Sequence, residues 1–565
     1  MTTDFEIAYK PIDPPKEGVN GYDGFKPGQQ TVLKAGSTRE GWDGGRTAPL
    51  TSDILLDHDV ELVMRDGAKL YTDIYRPPSS DNEPVPCLIM WSPYGKRYSS
   101  INMLPVTTWR CGIRNEDLDG WEKFEGLRPG LWCPRGYAIA SVDIRGAGHS
   151  DGCVQIMGEN MGEDGYDVIE ALAKMPWCNG NIGMGGNSFL AISQWHIASQ
   201  QPPSLKCSQK GTEDFAEMYD REPLSGVSAY WEDKRARMKD IKVPAFIAGS
   251  DFSSIHTMGS IRGFLEIDAP TWIRWSGIQE WHDLYCVPES DQELTLFYDR
   301  YLKGIDNGWE KTPRVRWALL QFGDRDAIDG IELDNFPPSQ TQYKELFFDH
   351  DGKLSESAPE KPGCVSYLSR GEGAGTVGFD VKFDKKTTLL GIPKCEVWMS
   401  CKDHDDFYTH VTLKKLDENG NVLAHQTIPR ERAWAKTQAE IEPKDRTSLL
   451  LHHGSMGILR ASHRKFDPSK NVCGHPNWLF HPHDEEEKIT PGDIVKLDIG
   501  IWAAGVVFYP GESLRVEFMG EGQRNHELRH FTTKWPAEST LNHGTHNVFF
   551  GGEYPSKVIL PFVEL

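Results

Sequence analysis

The chain lacks the marks of export, of a membrane protein and of a nucleic-acid binder. Its 11 cysteines, an odd number running from Cys87 to Cys473, include no Cys-x-x-Cys pair. That argues against both a disulfide scaffold and a zinc ribbon. No Asn-x-Ser/Thr sequon is present. No apolar run approaches the ~20 residues of a membrane span. The opening residues, Met1-Thr2-Thr3-Asp4-Phe5-Glu6, carry neither the basic patch nor the apolar stretch of a signal peptide. Basic charge is in deficit: 61 Lys and Arg against 83 Asp and Glu leave a net charge of −22. Such a chain is a poor match for phosphate backbones or anionic bilayers. The expectation is a cytoplasmic protein whose partners include neither nucleic acid nor membrane. Internal repeats and low-complexity tracts are missing as well.

What is present is material for several packed domains: 565 residues, 38% hydrophobic, with 18 Trp and 24 Phe. Residues 1–54, rich in Gly, Pro and charge, read as an extended N-terminal arm. From Val60 onward strands and helices alternate. Cys87-Leu88-Ile89-Met90-Trp91 and Tyr137 to Val142 are unbroken apolar runs, as in strands buried on both faces. A helix over Leu294, Phe297, Tyr298, Tyr301 and Leu302 stops at Gly304. This pattern predicts a mostly parallel sheet covered on both faces: an α/β domain over 55–210 and 240–312, interrupted by a short helical cap at 211–239. After Pro313 long helical patterns vanish and short alternating strands take over, so 313–565 is expected to be an all-β jelly roll or sandwich.

The segment that carries chemistry is Gly183-Met184-Gly185-Gly186-Asn187-Ser188-Phe189-Leu190-Ala191. A strand runs into a Gly-x-Ser turn and a helix leaves at once, which makes a nucleophile elbow. The turn lifts the Ser188 hydroxyl to the carboxyl edge of the sheet, and the helix N-terminus favours developing negative charge. Leu190 stands where the usual pattern has its last glycine.

With that elbow in place the chain resembles the cocaine esterase and X-Pro dipeptidyl-peptidase-like hydrolases, the CocE/NonD family, along most of its length. The matching stretches include Met64-Arg65-Asp66-Gly67, Ser92-Pro93-Tyr94-Gly95-Lys96, Asp143-Ile144-Arg145-Gly146, Pro176 to Gly180 and Gly457 to Arg464. The resemblance implies an α/β-hydrolase core with a helical cap, a C-terminal jelly roll, and acyl transfer through a Ser-His-Asp triad. It makes Ser188 the nucleophile, and gives the oxyanion hole to the Tyr94 hydroxyl and the Phe189 backbone N–H.

Acid and base follow from the chain order Ser…Asp…His. Asp251, just after a strand, takes the acid's place, with Asp283, Glu280 and Asp214 as rivals. His282, after the next strand, takes the base's place, with His256 as rival. The cap begins with Glu213, Asp214, Glu217 and Asp220, read as a solvated face in preference to an amine site. A Gly-rich run at 373–378 opens no helix and is not read as a dinucleotide loop. His481-Pro482-His483 lacks the second half of a metal-binding motif, so neither cofactor nor metal is expected. The functional expectation is hydrolysis of a small-molecule ester or amide, possible homodimer formation included. Its rivals are acyl transfer to another nucleophile and a non-catalytic jelly-roll scaffold.

Overall fold

The computed structural model describes residues 6–200, 211–213, 218, 228–253, 256–471, 474–521 and 544–565. The N-terminal arm contributes two strands, β1 (Tyr9–Lys10) and β2 (Gln30–Leu33). β2 lies antiparallel on β3 (Ile54–Val63), which turns through Asp66-Gly67 into β4 (Lys69–Arg76). Gly67 has φ +88°, the left-handed conformation that the turn requires. β5 (Val85–Ser92) and β6 (Ala138–Asp143) follow, parallel to each other and buried throughout. Their unbroken apolar runs are explained by the two cores they separate. Cys87, Ile89 and Trp91 face one hydrophobic cluster, Leu88 and Met90 the other.

Next come β7 (Cys153–Val154), α1 (Glu159–Ala173), β8 (Cys178–Met184) and α2 (Phe189–Ala198). β8 pairs parallel with β5, giving a six-stranded sheet in the order β2-β3-β4-β6-β5-β8. β9 (Gly211–Glu213) joins β1 and β7 in a small separate sheet, so the N-terminal arm is tied to the start of the cap. Of the expected cap, α3 (Ala229–Asp233) is described. Asp214, Glu217 and Asp220 lie outside the described residues.

A second sheet carries the rest of the α/β domain. β10 (Ala245–Ser250), α4 (Thr257–Glu266) and β11 (Thr271–Ser276) precede α5 (Glu280–Cys286) and α6 (Pro288–Leu302). β10 and β11 are parallel neighbours, with Ser250 opposite Ser276 at their carboxyl ends. The expectation places the start of the jelly roll at 313, and the first two strands after it pair with this second sheet. β12 (Val315–Leu319) is parallel to β11, and β13 (Ile328–Leu333) is antiparallel to β12, so both belong to this second sheet. They read as β-domain strands because edge strands added to a parallel sheet alternate as sandwich strands do.

The C-terminal β domain starts at Gln342 and runs to Val563, around a core that includes Phe348, Phe379, Val411, Val516 and Leu560. The domains share a seam in which Trp317 stacks on Trp275 at 4.5 Å and on Phe336 at 4.0 Å. Leu390, Val507 and Val563 of the β domain pack into the same cluster. Among the described residues no helix is long and apolar enough to cross a membrane.

Candidate active site

Ser188 stands between the end of β8 and the first turn of α2 with φ +66° and ψ −106°. A non-glycine residue held there is strained, and the neighbouring glycines make the strain possible. A Cβ on Gly186 would fall 2.6 Å from Leu190 and 2.9 Å from the Glu125 carbonyl oxygen. Phe189 is the first residue of α2, which places its backbone N–H at the helix N-terminus beside the Ser188 hydroxyl.

The histidine that meets Ser188 is His256. Its Nε2 lies 3.0 Å from Ser188 Oγ. His256 precedes α4, in the loop that leaves β10. Its Nδ1 faces Glu280 Oε2 at 3.4 Å, and Glu280 Oε1 accepts the Ser250 hydroxyl at 3.1 Å. Burial alone would lower the His256 pKa. The Glu280 hydrogen bond, with the charges of Glu280 and Glu125, outweighs it, and the value is raised.

Glu280 opens α5. The side chain of Gln279 caps that helix by accepting the N–H groups of Trp281 and His282 at 2.7 and 3.1 Å. The Gln279 backbone N–H in turn donates to the Thr427 carbonyl at 2.6 Å. The β domain thus fixes the helix that presents the carboxylate.

The two residues expected as base and acid sit elsewhere. His282 points from α5 toward the Cys111 carbonyl, 2.8 Å from its Nδ1, and is 2% exposed. A carbonyl only accepts, so Nδ1 carries the hydrogen. Burial lowers the pKa of this histidine and keeps it neutral. Asp251 follows β10 directly, but its Oδ2 is buried without a hydrogen-bond partner among the described residues. Burial, opposed by the Trp275 indole, pushes its carboxyl up to about 7. Of the rival acids, Asp283 pairs with Arg274 at 2.7 and 3.1 Å and with the Ser290 hydroxyl at 2.7 Å. Asp214 is outside the described residues.

Tyr94 lies in the loop after β5, with its ring on Phe124 and Phe189 at centroid distances of 5.4 and 6.4 Å. Its hydroxyl interacts with the side chains of Ser188 and Glu125. Burial first, then the Glu125 charge, pushes the phenol well above its usual range, so it keeps its hydrogen at neutral pH. A cavity of about 170 Å³ beside Tyr94 is lined by the N-terminal arm (Pro15, Val19, Asn20) and by Lys96, Arg97 and Asp143, and does not include Ser188 or His256 in its lining. Glu125 is the member of the site that sequence reasoning passed over. It stands in an ordinary-looking polar segment, Glu122-Lys123-Phe124-Glu125, and no motif marks it. Among the described residues no group of three or more His, Cys, Asp or Glu side chains is arranged to hold a metal ion.

The profile of the X-Pro dipeptidyl-peptidase S15 family matches residues 66–222, and that of the X-Pro dipeptidyl-peptidase C-terminal non-catalytic domain matches residues 307–559. A crystal structure of a CocE/NonD family hydrolase from Staphylococcus aureus superimposes with a TM-score of 0.79 at 26% identity. It covers 95% of this chain and 97% of that one. The chain is a CocE/NonD-like hydrolase. Cocaine esterase from a Rhodococcus species is 32% identical over 149 residues, which are 26% of this chain and only 22% of that enzyme. An α-amino acid ester hydrolase shares the fold, with a TM-score of 0.61 at 15% identity over 89% of this chain and 96% of that one. This CocE/NonD-like hydrolase joins an α/β-hydrolase domain to a β-rich C-terminal domain.

Proposed function

We propose that this hydrolase cleaves an ester or amide bond of a small molecule through an acyl-enzyme. Ser188 is the nucleophile, His256 the base and Glu280 the acid. The observation that carries the reading is the unbroken line from Ser188 Oγ to His256 Nε2 at 3.0 Å and from His256 Nδ1 to Glu280 Oε2 at 3.4 Å. Ser188 Oγ attacks the substrate carbonyl carbon while its proton passes to His256 Nε2. The imidazolium that forms is stabilised by the Glu280 carboxylate, which holds Nδ1–H in place. The carbonyl oxygen becomes an oxyanion, met by the Phe189 N–H and the Tyr94 hydroxyl. Each such donor lowers the barrier by ~3 kcal/mol because it is aimed at charge present only in the transition state. His256 then protonates the leaving alcohol or amine. A water molecule, deprotonated by the same nitrogen, releases the acid and restores Ser188.

The base here precedes the acid in the chain, the reverse of the expected order. A triad is defined by geometry and roles, so the reversal leaves the chemistry intact.

The test is covalent labelling. A fluorophosphonate probe should modify the protein once, at Ser188. Labelling should be abolished in Ser188→Ala and slowed by orders of magnitude in His256→Ala. A His256→Ala protein that labels as fast as wild type removes His256 from the mechanism.

A further inference from the structure

One carboxyl group of the site has no place in the steps above. Glu125 is 1% exposed and holds φ +67°, a conformation that residues with a Cβ adopt rarely. That conformation turns its carbonyl oxygen onto the Asn187 N–H at 3.0 Å, one residue before the nucleophile. Its side chain reaches another wall of the site. Oε1 accepts the Trp281 indole N–H at 3.0 Å, and Oε2 is buried with no hydrogen bond of ordinary geometry among the described residues. The group that faces this carboxyl and also faces Ser188 is the Tyr94 hydroxyl.

A phenol has one hydrogen to give. A Glu125 carboxylate can only accept, so it competes for that hydrogen and turns the lone pairs of Tyr94 toward the substrate oxygen. A Glu125 carboxylic acid does the opposite. Trp281 is a donor and occupies Oε1 in either state, which leaves Oε2 as the seat of the proton. From there Oε2–H donates to the Tyr94 oxygen, and the Tyr94 hydrogen is free for the oxyanion. No bond to substrate changes; only the direction of two hydrogen bonds does.

We propose that Glu125 is a positioning residue for Tyr94, acting as a carboxylic acid that directs the phenol hydrogen to the oxyanion, and that its ionisation withdraws this donor. The proposal rests on the reading of Ser188, His256 and Tyr94 given above. Burial pushes the Glu125 carboxyl up to about 7, against the Trp281 and Tyr94 hydrogen bonds and the positive charge of His256, with the Glu280 charge adding to the rise. Tyr285, which senses the charges of both Glu122 and Glu125, is itself held neutral by burial. His256 titrates beside Glu125, so the two protons belong to a coupled pair. The productive form has its proton on Glu125 and none on His256. The form with the same proton moved to His256 has neither base nor directed donor.

The experiment is the pH profile of kcat/KM from pH 5.5 to 9 for wild type, Glu125→Gln, Trp281→Phe and Tyr94→Phe. Wild type should rise with loss of the His256 proton, then fall above about pH 7 toward a plateau roughly 10²-fold lower, the cost of one oxyanion donor. In Glu125→Gln the amide N–H donates to Tyr94 at every pH, and the alkaline fall should vanish. In Trp281→Phe the ionised carboxyl loses its donor, so the fall should move to higher pH. In Tyr94→Phe there is no phenol to redirect, and the fall should vanish as well. An alkaline fall that survives in Glu125→Gln or in Tyr94→Phe overturns the proposal. So does one that stays in place in Trp281→Phe, which is informative even if Glu125→Gln does not fold. Fluorophosphonate labelling run on the same proteins separates the two levels. If only the Glu125 proposal fails, Ser188 labelling and its dependence on His256 persist. If the triad reading fails, they do not.

Discussion

Ser250 and Ser276 face each other at the carboxyl ends of the parallel strands β10 and β11, and the loops that carry His256 and Glu280 start from these two residues. The Ser250 hydroxyl even donates to Glu280 across the gap, at 3.1 Å. Because the two loops are neighbours at one sheet edge, either can supply the base and the other the acid. Only the distance to Ser188 decides, and it favours His256 at 3.0 Å.

The base is the sharpest prediction. His256→Ala should lower kcat about as far as Ser188→Ala, by ~10⁴-fold or more, since the two act as a unit in proton transfer. His282→Ala should keep most of its kcat and show its damage in stability, because its loss leaves the Cys111 carbonyl buried without its donor. Steady-state kinetics and thermal melts on the two variants check this. A His282→Ala protein that folds but has lost catalysis would reverse the assignment.

The acid should matter less than the base. Glu280 orients the His256 ring and stabilises its charged form, so Glu280→Gln is expected to cost ~10²- to 10⁴-fold in kcat with KM little changed. Asp283→Asn removes one of the two carboxylate partners of Arg274, the other being Glu293, and its effect should appear in the melting temperature. A Glu280→Gln enzyme at wild-type kcat would show that His256 needs no carboxylate.

How much of this was legible in the sequence depends on how local the signal is. β5 announced itself because a strand between two cores must be apolar at every position, and Cys87 to Trp91 are. The elbow was legible because Gly185, Gly186 and Ser188 are chain neighbours whose small size and strained turn act within a few residues. Acid and base were not, because the inference ran through chain order. Asp251 and His282 occupy the expected positions after β10 and β11, and each is turned into the protein. His256 lies five residues after Asp251 and Glu280 two residues before His282, in the same two connections, and only the folded loop says which side chain reaches the serine. Glu125 was invisible for a further reason. Its role depends on a left-handed backbone turn that brings a segment 63 residues before the nucleophile against the elbow, and nothing in a lone Glu-Gly pair marks that.

Tyr94→Phe should lower kcat by ~10²-fold and leave KM within a few-fold, because the lost donor acts on charge absent from the ground state. Ser188 labelling by a fluorophosphonate should slow in parallel, since phosphonylation also builds negative charge on an oxygen in the same hole. A drop in kcat/KM that resides wholly in KM would make Tyr94 a substrate contact and not an oxyanion donor.

Asp251 offers a test that separates structure from catalysis. Its carboxyl is protonated up to about pH 7 in the folded protein, whereas in the unfolded chain it ionises near pH 4. The folded form therefore binds the proton more tightly between these values. Its contribution to stability is fully present below pH 4 and is lost progressively as pH rises through 7. Above pH 7 the folded protein carries a buried charge without a salt-bridge partner among the described residues. Asp251→Asn removes that charge, so the variant should gain stability over wild type at pH 8, by a few kcal/mol at most, about 1.4 kcal/mol for each unit of separation. At pH 4 the two should melt close together. Activity should remain within a few-fold of wild type, since Asp251 touches neither His256 nor Ser188. Melting curves at the two pH values, with kcat measured alongside, decide it. A variant that loses kcat by 10³-fold while melting as wild type does would return Asp251 to the triad, and a variant destabilised equally at both pH values would mean that the buried carboxyl never carries charge in this range.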